Sequence, residues 1–513
     1  MMMSVIKLLD MRRLAFISMF MALFATLQLT DSDYFWHLKA GEYIVTQGAL
    51  PHGDVFSFTH LGQPWVLHEW LFEVVLYGMF TWLGPLGVKL LTTTLAMTAL
   101  GITYALMRRL AVSLSIAFVL LLAAFIPFSL GISPRPQLVT YVFSISFLYV
   151  LLSYKYFQTT RYLLALPLIM VVWVNAHGGY MLGLALAWLF VACECANYLI
   201  CSERNGGQKQ RLVRLVLAAV ATTLASAINP GFLGHWLYPF QVMGMEVTRQ
   251  ISEWQSPDFH DWGCRGYLML VLVLFTSYTY AARKPDFTEL IIPTFLMVLG
   301  FSAIRHVPLA ALTLIPFIAI ALSRGPAAGL SVLWHNMELE RFYKRWIGGG
   351  KQLGKGESLL NWLLLLTIAI GLSVYYPIYH ANDEDKANAK LPVKAAEFVA
   401  NAGITGNMFN SYHFGGYLIY RLYPVQRVFI DGRADMYGDA FFNDYKKIIG
   451  VTSGWEKTFD KYQIDYVITG RDEPLRQLLQ ARGDFRLVYD DKYNSVLLRN
   501  TPRYADIIAK YGQ

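Results

Sequence analysis

Apolar runs of membrane-spanning length recur along most of the chain. They fall near residues 14–29, 86–107, 110–130, 137–155, 162–177, 180–201, 212–228, 266–282, 288–304, 307–323 and 359–379. A helix needs about 20 predominantly apolar residues to cross a bilayer. The pattern therefore predicts a polytopic α-helical membrane protein with about 11 transmembrane helices. The rhythm changes after residue 379. Short runs at GNMFN, RVFID, DYVIT and the pair FRLVY/SVLL read as strands. Segments 392–402, 412–422, 439–449, 454–462 and 473–482 read as helices between them. Strands alternating with helices predict a mixed or parallel sheet covered by helices. The expected organisation is a transmembrane domain over 1–379 and a C-terminal external α/β domain over 380–513.

One apolar stretch is assigned differently. Residues 68–83, HEWLFEVVLYGMFTWL, would put Glu69 and Glu73 in hydrocarbon if they crossed the membrane, at high cost. They read instead as an amphipathic helix on the outer interface, anchored by Trp70 and Trp82. This leaves two long external loops, 30–85 and 229–265, and a Gly- and Lys/Arg-rich cytoplasmic loop at 324–358. No small-residue cleavage site follows the first run, which therefore reads as a retained anchor.

Composition supports the membrane assignment. Of 513 residues, 55% are apolar or aromatic and only 15% charged, well below the roughly 25% of soluble domains. A purely cytosolic enzyme and a disordered chain are both excluded. The formal charge of +8 raises the question of nucleic acid, but its placement answers it. In the tail basic and acidic residues nearly balance, 18 against 17. Elsewhere, alternating the loops puts 19 Lys and Arg on one side and only 6 on the other. That bias is the positive-inside signal. It predicts a cytoplasmic N-terminus and an external tail, with no nucleic-acid partner. Four cysteines build no disulfide framework. Glu194, between Cys193 and Cys195, reads as an intramembrane acid hydrogen-bonded inside the bundle in protonated form, and a CxC pair in a membrane helix is a poor zinc site.

The densest chemistry is LTDSDYFWHLKAGEYI, directly after the first run. Asp31 and Asp33 sit where carboxylates are costly unless they face water, a cation or a partner. A D-x-D pair can hold a divalent ion (Mg or Mn) or supply a general base. Trp36, His37, Asp54, His68 and Glu69 follow in the same loop. Acids, imidazoles and flat rings together suit polar, ring-shaped substrates carrying phosphate. The plainer alternative is that Asp31 caps the next helix and the tryptophans anchor the interface.

With its first span, acidic external loop, many further spans and external α/β tail, the chain resembles the GT-C glycosyltransferases. These membrane enzymes use polyprenyl-phosphate sugar donors. The loop from Asp31 to Glu69, with GALP at Gly48 to Pro51, is similar to aminoarabinose transferases and protein O-mannosyltransferases. The resemblance implies that the catalytic aspartate is Asp31 or Asp33, since alignment on Pro51 favours the first and on Gly48 the second. The family's Asp-Glu is here D-x-D, and its proline pair is replaced by PWVLHEW. NSYHFGGYLIY (410–420) is similar to the segment opening the external domain of oligosaccharyltransferase catalytic subunits. It implies an acceptor-side role for Tyr412, although His413 and Phe414 stand where the motif's aspartate belongs.

Other residues have two readings each. FIDGRADMY places Asp431, Arg433 and Asp435 at the end of an expected strand, where open α/β sheets bind ligands; an Asp–Arg pair bracing the turn at Gly432 explains them equally well. Arg305, His306 and Arg135 interrupt apolar sequence near the outer face. They suit a lipid phosphate or snorkelling to headgroups. His177 lies in NAHGGY between two spans, and Glu253 beside Trp254 suits a sugar face or a short interfacial helix. Walker A, GxSxG and HExxH motifs are absent from the sequence.

The resemblance, with these features, implies transfer of a sugar from a polyprenyl-phosphate donor to a glycan, lipid or protein acceptor at the outer face of a bacterial cytoplasmic membrane, without ATP. The rival is a non-catalytic protein, either a lipid-linked glycan transporter or a membrane scaffold whose external domain binds a partner.

Overall fold

A helix stands at each of the eleven expected positions. In chain order these are Met11–Thr26, Pro85–Arg109, Leu114–Ser129, Gln137–Phe157, Ala165–Ala176, Tyr180–Ile200, Gly206–Ala225, Trp262–Tyr280, Phe287–Ser302, Val307–Ser323 and Lys355–His380. The structure is a computed structural model that describes residues 10–200, 206–232, 234–325 and 355–512. Cys201 and most of the expected 324–358 loop lie outside the described residues.

Local sequence sets many of the helix starts. The Asp10 carboxylate accepts from Arg13 N, and Ser113 and Asp261 cap their helices in the same way. Asp286 and Glu289 form a reciprocal capping box, which satisfies two donors that the helix itself leaves open. Among the described helices, five are long and apolar enough to cross a membrane.

Two of the five show what kind of solvent surrounds them. Over its apolar window the Ile304–Ser323 segment is 83% buried, whereas Ser358–His380 is only 11% buried. Leu359, Leu360, Leu363, Ile370 and Val374 of the latter are all exposed. An apolar helix exposed on most of its surface is stable only where the solvent is lipid. The chain is a multi-pass membrane protein.

The chain divides into two compact units. The first comprises Met1–Leu27, Leu90–Trp236 and Ile251–Tyr376. Within it Glu194 is hydrogen-bonded inside the bundle and also faces a lysine, a partner that was not expected. Its carboxylate meets Lys155 Nζ, Thr288 Oγ1 and Asn197 Nδ2, and Lys155 also lies 2.9 Å from Asp286. The lysine is 39 residues away in sequence, so the pairing is invisible to local reading.

The second unit comprises Gln28–Lys89, Leu237–Gln250 and Pro377–Gln513. The first external loop thus packs with the tail. A four-stranded mixed sheet has the order β1-β2-β4-β3, with β1 Met408–Asn410, β2 Tyr466–Gly470, β3 Phe485–Asp490 and β4 Asn494–Arg499. β1 and β2 are parallel, while β4 runs antiparallel to β2 and β3. RVFID, expected as a strand, makes only a single bridge, and its partner is the loop: Val428 pairs with Ser57. Val428 N donates to Phe56 O and Phe58 N to Val428 O, both at 3.1 Å. The hydrophobic run is real, but this segment joins no strand of the tail's own sheet.

Candidate functional site

The site in the second unit is built on two helices, Asp33–Gln47 and Trp70–Leu83. They approach so closely at Gly41 that a Cβ there would lie 2.1 Å from the Glu73 carbonyl oxygen. His37 is one turn before Gly41, and Glu69 one turn before Glu73, so this contact brings their side chains together. His37 Nδ1 is 3.0 Å from Glu73 Oε1 and 3.6 Å from Glu69 Oε2. His68 Nε2 is 3.5 Å from the other Glu69 oxygen. Trp36 lies beside His37 with ring centroids 3.6 Å apart.

Glu73 is fully buried. Burial, and then the nearby Glu69 charge, raise its pKa well above the carboxylate range, against the opposing influence of Arg433. Its Oε2 and the Trp36 indole nitrogen are buried without a hydrogen-bond partner. For His68, burial opposes the imidazolium, but Glu69 and Asp435 outweigh it and the pKa rises. Burial raises the Asp435 pKa.

Asp31 and Asp33 open the first of these helices. Asp31 Oδ1 accepts from Asp33 N at 3.0 Å, so one of its oxygens helps to start the helix. Asp33 sits in the first turn, where a carboxylate is favoured by the helix dipole. Its side chain lies against Gly432 of FIDGRADMY; a Cβ on that glycine would be 2.1 Å from Asp33 Oδ1. Tyr412 donates its hydroxyl to Gly432 O at 3.2 Å.

Behind this turn is a closed ionic brace. Arg433 bonds Asp431 through Nε at 2.8 Å and Nη2 at 2.6 Å, and Asp54 through Nη1 at 2.8 Å. Tyr437 adds a hydroxyl to Asp431 at 2.6 Å. Exposure is 1% for Asp54, 0% for Asp431 and 2% for Arg433. The Arg433 guanidinium also sits 4.5 Å from the Trp65 ring centroid. The three charges are spent on one another, which is what a brace for the Gly432 turn requires.

The remaining residues singled out in the sequence lie in the first unit, where five of them converge. Arg135 Nη1 is 2.7 Å from Glu253 Oε1. The Arg305 guanidinium stands 4.3 Å from the Trp254 ring centroid, and the His306 ring 6.0 Å from it. Their loops are joined by Ile304 N donating to Gln255 O at 2.9 Å. His177 is held separately, its Nδ1 2.6 Å from Thr140 Oγ1 and accepting from Gly179 N at 3.1 Å.

Among the described residues, His37, Glu69 and Glu73 form a group of three whose ligand atoms all lie within 4.8 Å of one another. Glu73 was not singled out as a site residue in the sequence. The usable signal was its i, i+4 spacing from Glu69, which stacks the two acids on one helix face.

No protein-family model matches the chain, and no curated protein sequence matches it. Solved structures do. The oligosaccharyltransferase AglB of Archaeoglobus fulgidus, in complex with an inhibitory peptide and a dolichol-phosphate, matches with a TM-score of 0.55 at 12% identity. The match covers 89% of this chain and 69% of that one. ArnT of Cupriavidus metallidurans, bound to undecaprenyl phosphate, matches with a TM-score of 0.50 at 14% identity, over 94% of this chain and 96% of its own. Both are GT-C glycosyltransferases. At such identities the likeness is one of fold, and the fold of this chain is the GT-C fold.

Proposed function

We propose that this protein is a glycosyltransferase that moves a sugar from a polyprenyl-phosphate donor to an acceptor at the outer face of a bacterial cytoplasmic membrane. The observation that carries the reading is the extent of the fold likeness to ArnT, nearly the whole of both chains, combined with an acidic pair at the start of the helix after the first span. Asp31 or Asp33 deprotonates or orients the acceptor hydroxyl for attack on the anomeric carbon. The leaving group is a phosphate, already a stable anion, so cationic stabilisation matters more than acid catalysis. In the first unit, Arg135, Arg305 and His306 gather around Glu253 and Trp254 as a cationic cluster suited to a phosphate. Glu253 holds Arg135 in place and is displaced from it when phosphate binds.

The test compares lipid-linked and glycan products in cells expressing wild type, Asp31→Asn or Asp33→Asn at equal membrane abundance. Loss of one sugar-bearing product in either variant supports transfer and identifies the working carboxylate. Unchanged products in both, with a clear change when the gene is deleted, overturn it in favour of a transporter or scaffold.

A further inference from the structure

We infer that His37, Glu69 and Glu73 form a binding site for a divalent transition-metal ion, with zinc the best fit. The proposal stands whether or not the chain transfers sugars.

The geometry comes first. Ligands at 2.0–2.2 Å from a tetrahedral zinc are about 3.4 Å from each other. His37 Nδ1 lies 3.0 Å from Glu73 Oε1 and 3.6 Å from Glu69 Oε2, on either side of that value. One imidazole and two carboxylates are a donor set that zinc accepts, and a site with three protein ligands keeps a fourth position for water or a substrate oxygen. Such an ion would supply Lewis-acid polarisation or a bound hydroxide there.

Charge and burial point the same way. Two carboxylates converge on one imidazole, and the Glu73 side chain is entirely enclosed. Arg433 of the same unit already spends its nitrogens on Asp54 and Asp431. Glu73 Oε2 is left buried with no hydrogen-bond partner, a cost of about 1–3 kcal/mol when nothing compensates it. A cation held by both Glu73 oxygens would remove that cost. The site is also framed as metal sites are: His68 stands 3.5 Å from the second Glu69 oxygen, while Trp36 and Phe72 pack on His37. Groups of this kind orient ligands and exclude water. The ligands themselves are fixed on two rigid helices in contact at Gly41.

The experiment uses the full chain, expressed in zinc-supplemented medium and purified in detergent without chelator. Elemental analysis is expected to find about one zinc per chain. Stripping with dipicolinic acid lowers the thermal midpoint, and added zinc restores it. Glu69→Gln and Glu73→Gln each reduce retained zinc at least about tenfold, whereas Asp385→Asn, an exposed acid of the tail, retains it. Should Glu73→Gln fail to fold, Glu69→Gln with an unchanged size-exclusion profile decides, because Glu69 is partly exposed. Trace metal in the wild type with no midpoint shift on adding zinc or manganese overturns the proposal. So does full zinc retention in the folded Glu69→Gln variant.

Discussion

Gly41 and Glu73 touch backbone to backbone: a Cβ at Gly41 would lie 2.1 Å from the Glu73 carbonyl oxygen. The side chains one turn away on each helix depend on that contact for their meeting. Gly41→Ala is therefore expected to destabilise the protein by about 1–3 kcal/mol, the usual range for overpacking. Gly78→Ala is the control, since a Cβ there meets nothing within 4 Å. On helix propensity alone that change should stabilise by about 0.5–1 kcal/mol. Thermal unfolding in detergent reads both signs, and equal midpoints for the two variants contradict the packing argument.

Gly432→Ala separates the two aspartates. Its new methyl group meets the far end of the Asp33 side chain and displaces it. Stability should change by less than about 1 kcal/mol. Product formation falls sharply if Asp33 is the working carboxylate and persists if Asp31 is. A parallel assay of Asp31→Asn must give the complementary result.

The Asp54–Arg433–Asp431 brace predicts an acid limit. Burial works against the Asp431 carboxylate, but Arg433 and Tyr437 outweigh it and the pKa is lowered. A lowered folded-state pKa means that the stabilisation is complete above the unfolded value of about 3.9. It is lost as pH falls through the folded value. Unfolding followed by circular dichroism should steepen below about pH 4, and Asp431→Asn should flatten that slope. Arg433→Met, which strands two buried acids, is expected to cost about 3–5 kcal/mol at neutral pH.

In the first unit the expected signs differ between partners. Arg135→Gln and Arg305→Gln each remove a cation and should weaken binding of undecaprenyl phosphate about tenfold or more. Glu253→Gln releases Arg135 from its 2.7 Å ion pair and should strengthen it. Isothermal titration in detergent measures all three. A loss of affinity in Glu253→Gln would show that orienting Arg135 matters more than freeing it.

Topology is checked by cysteine labelling from outside intact cells. A cysteine at exposed Lys457 should be labelled and one at Lys209 should not. The reverse pattern removes the positive-inside assignment.

The membrane helices were legible because lipid demands about 20 apolar residues from each span independently of its neighbours. Period and turn residues likewise revealed β1 to β4. RVFID misled because its hydrophobicity reports burial, while its pairing partner is Ser57, some 370 positions away. The loop between Asp31 and Glu69 announced its chemistry through residue type alone. Sequence could not say that Arg433 is consumed by Asp54 and Asp431, that Glu194 finds Lys155, or that Arg135 and Arg305 gather around Glu253 and Trp254. Nor could it join His37 to Glu73. Which charges neutralise one another depends on distances of a few ångströms between groups far apart in the chain. Those distances exist only after packing, here after a glycine lets two helices meet.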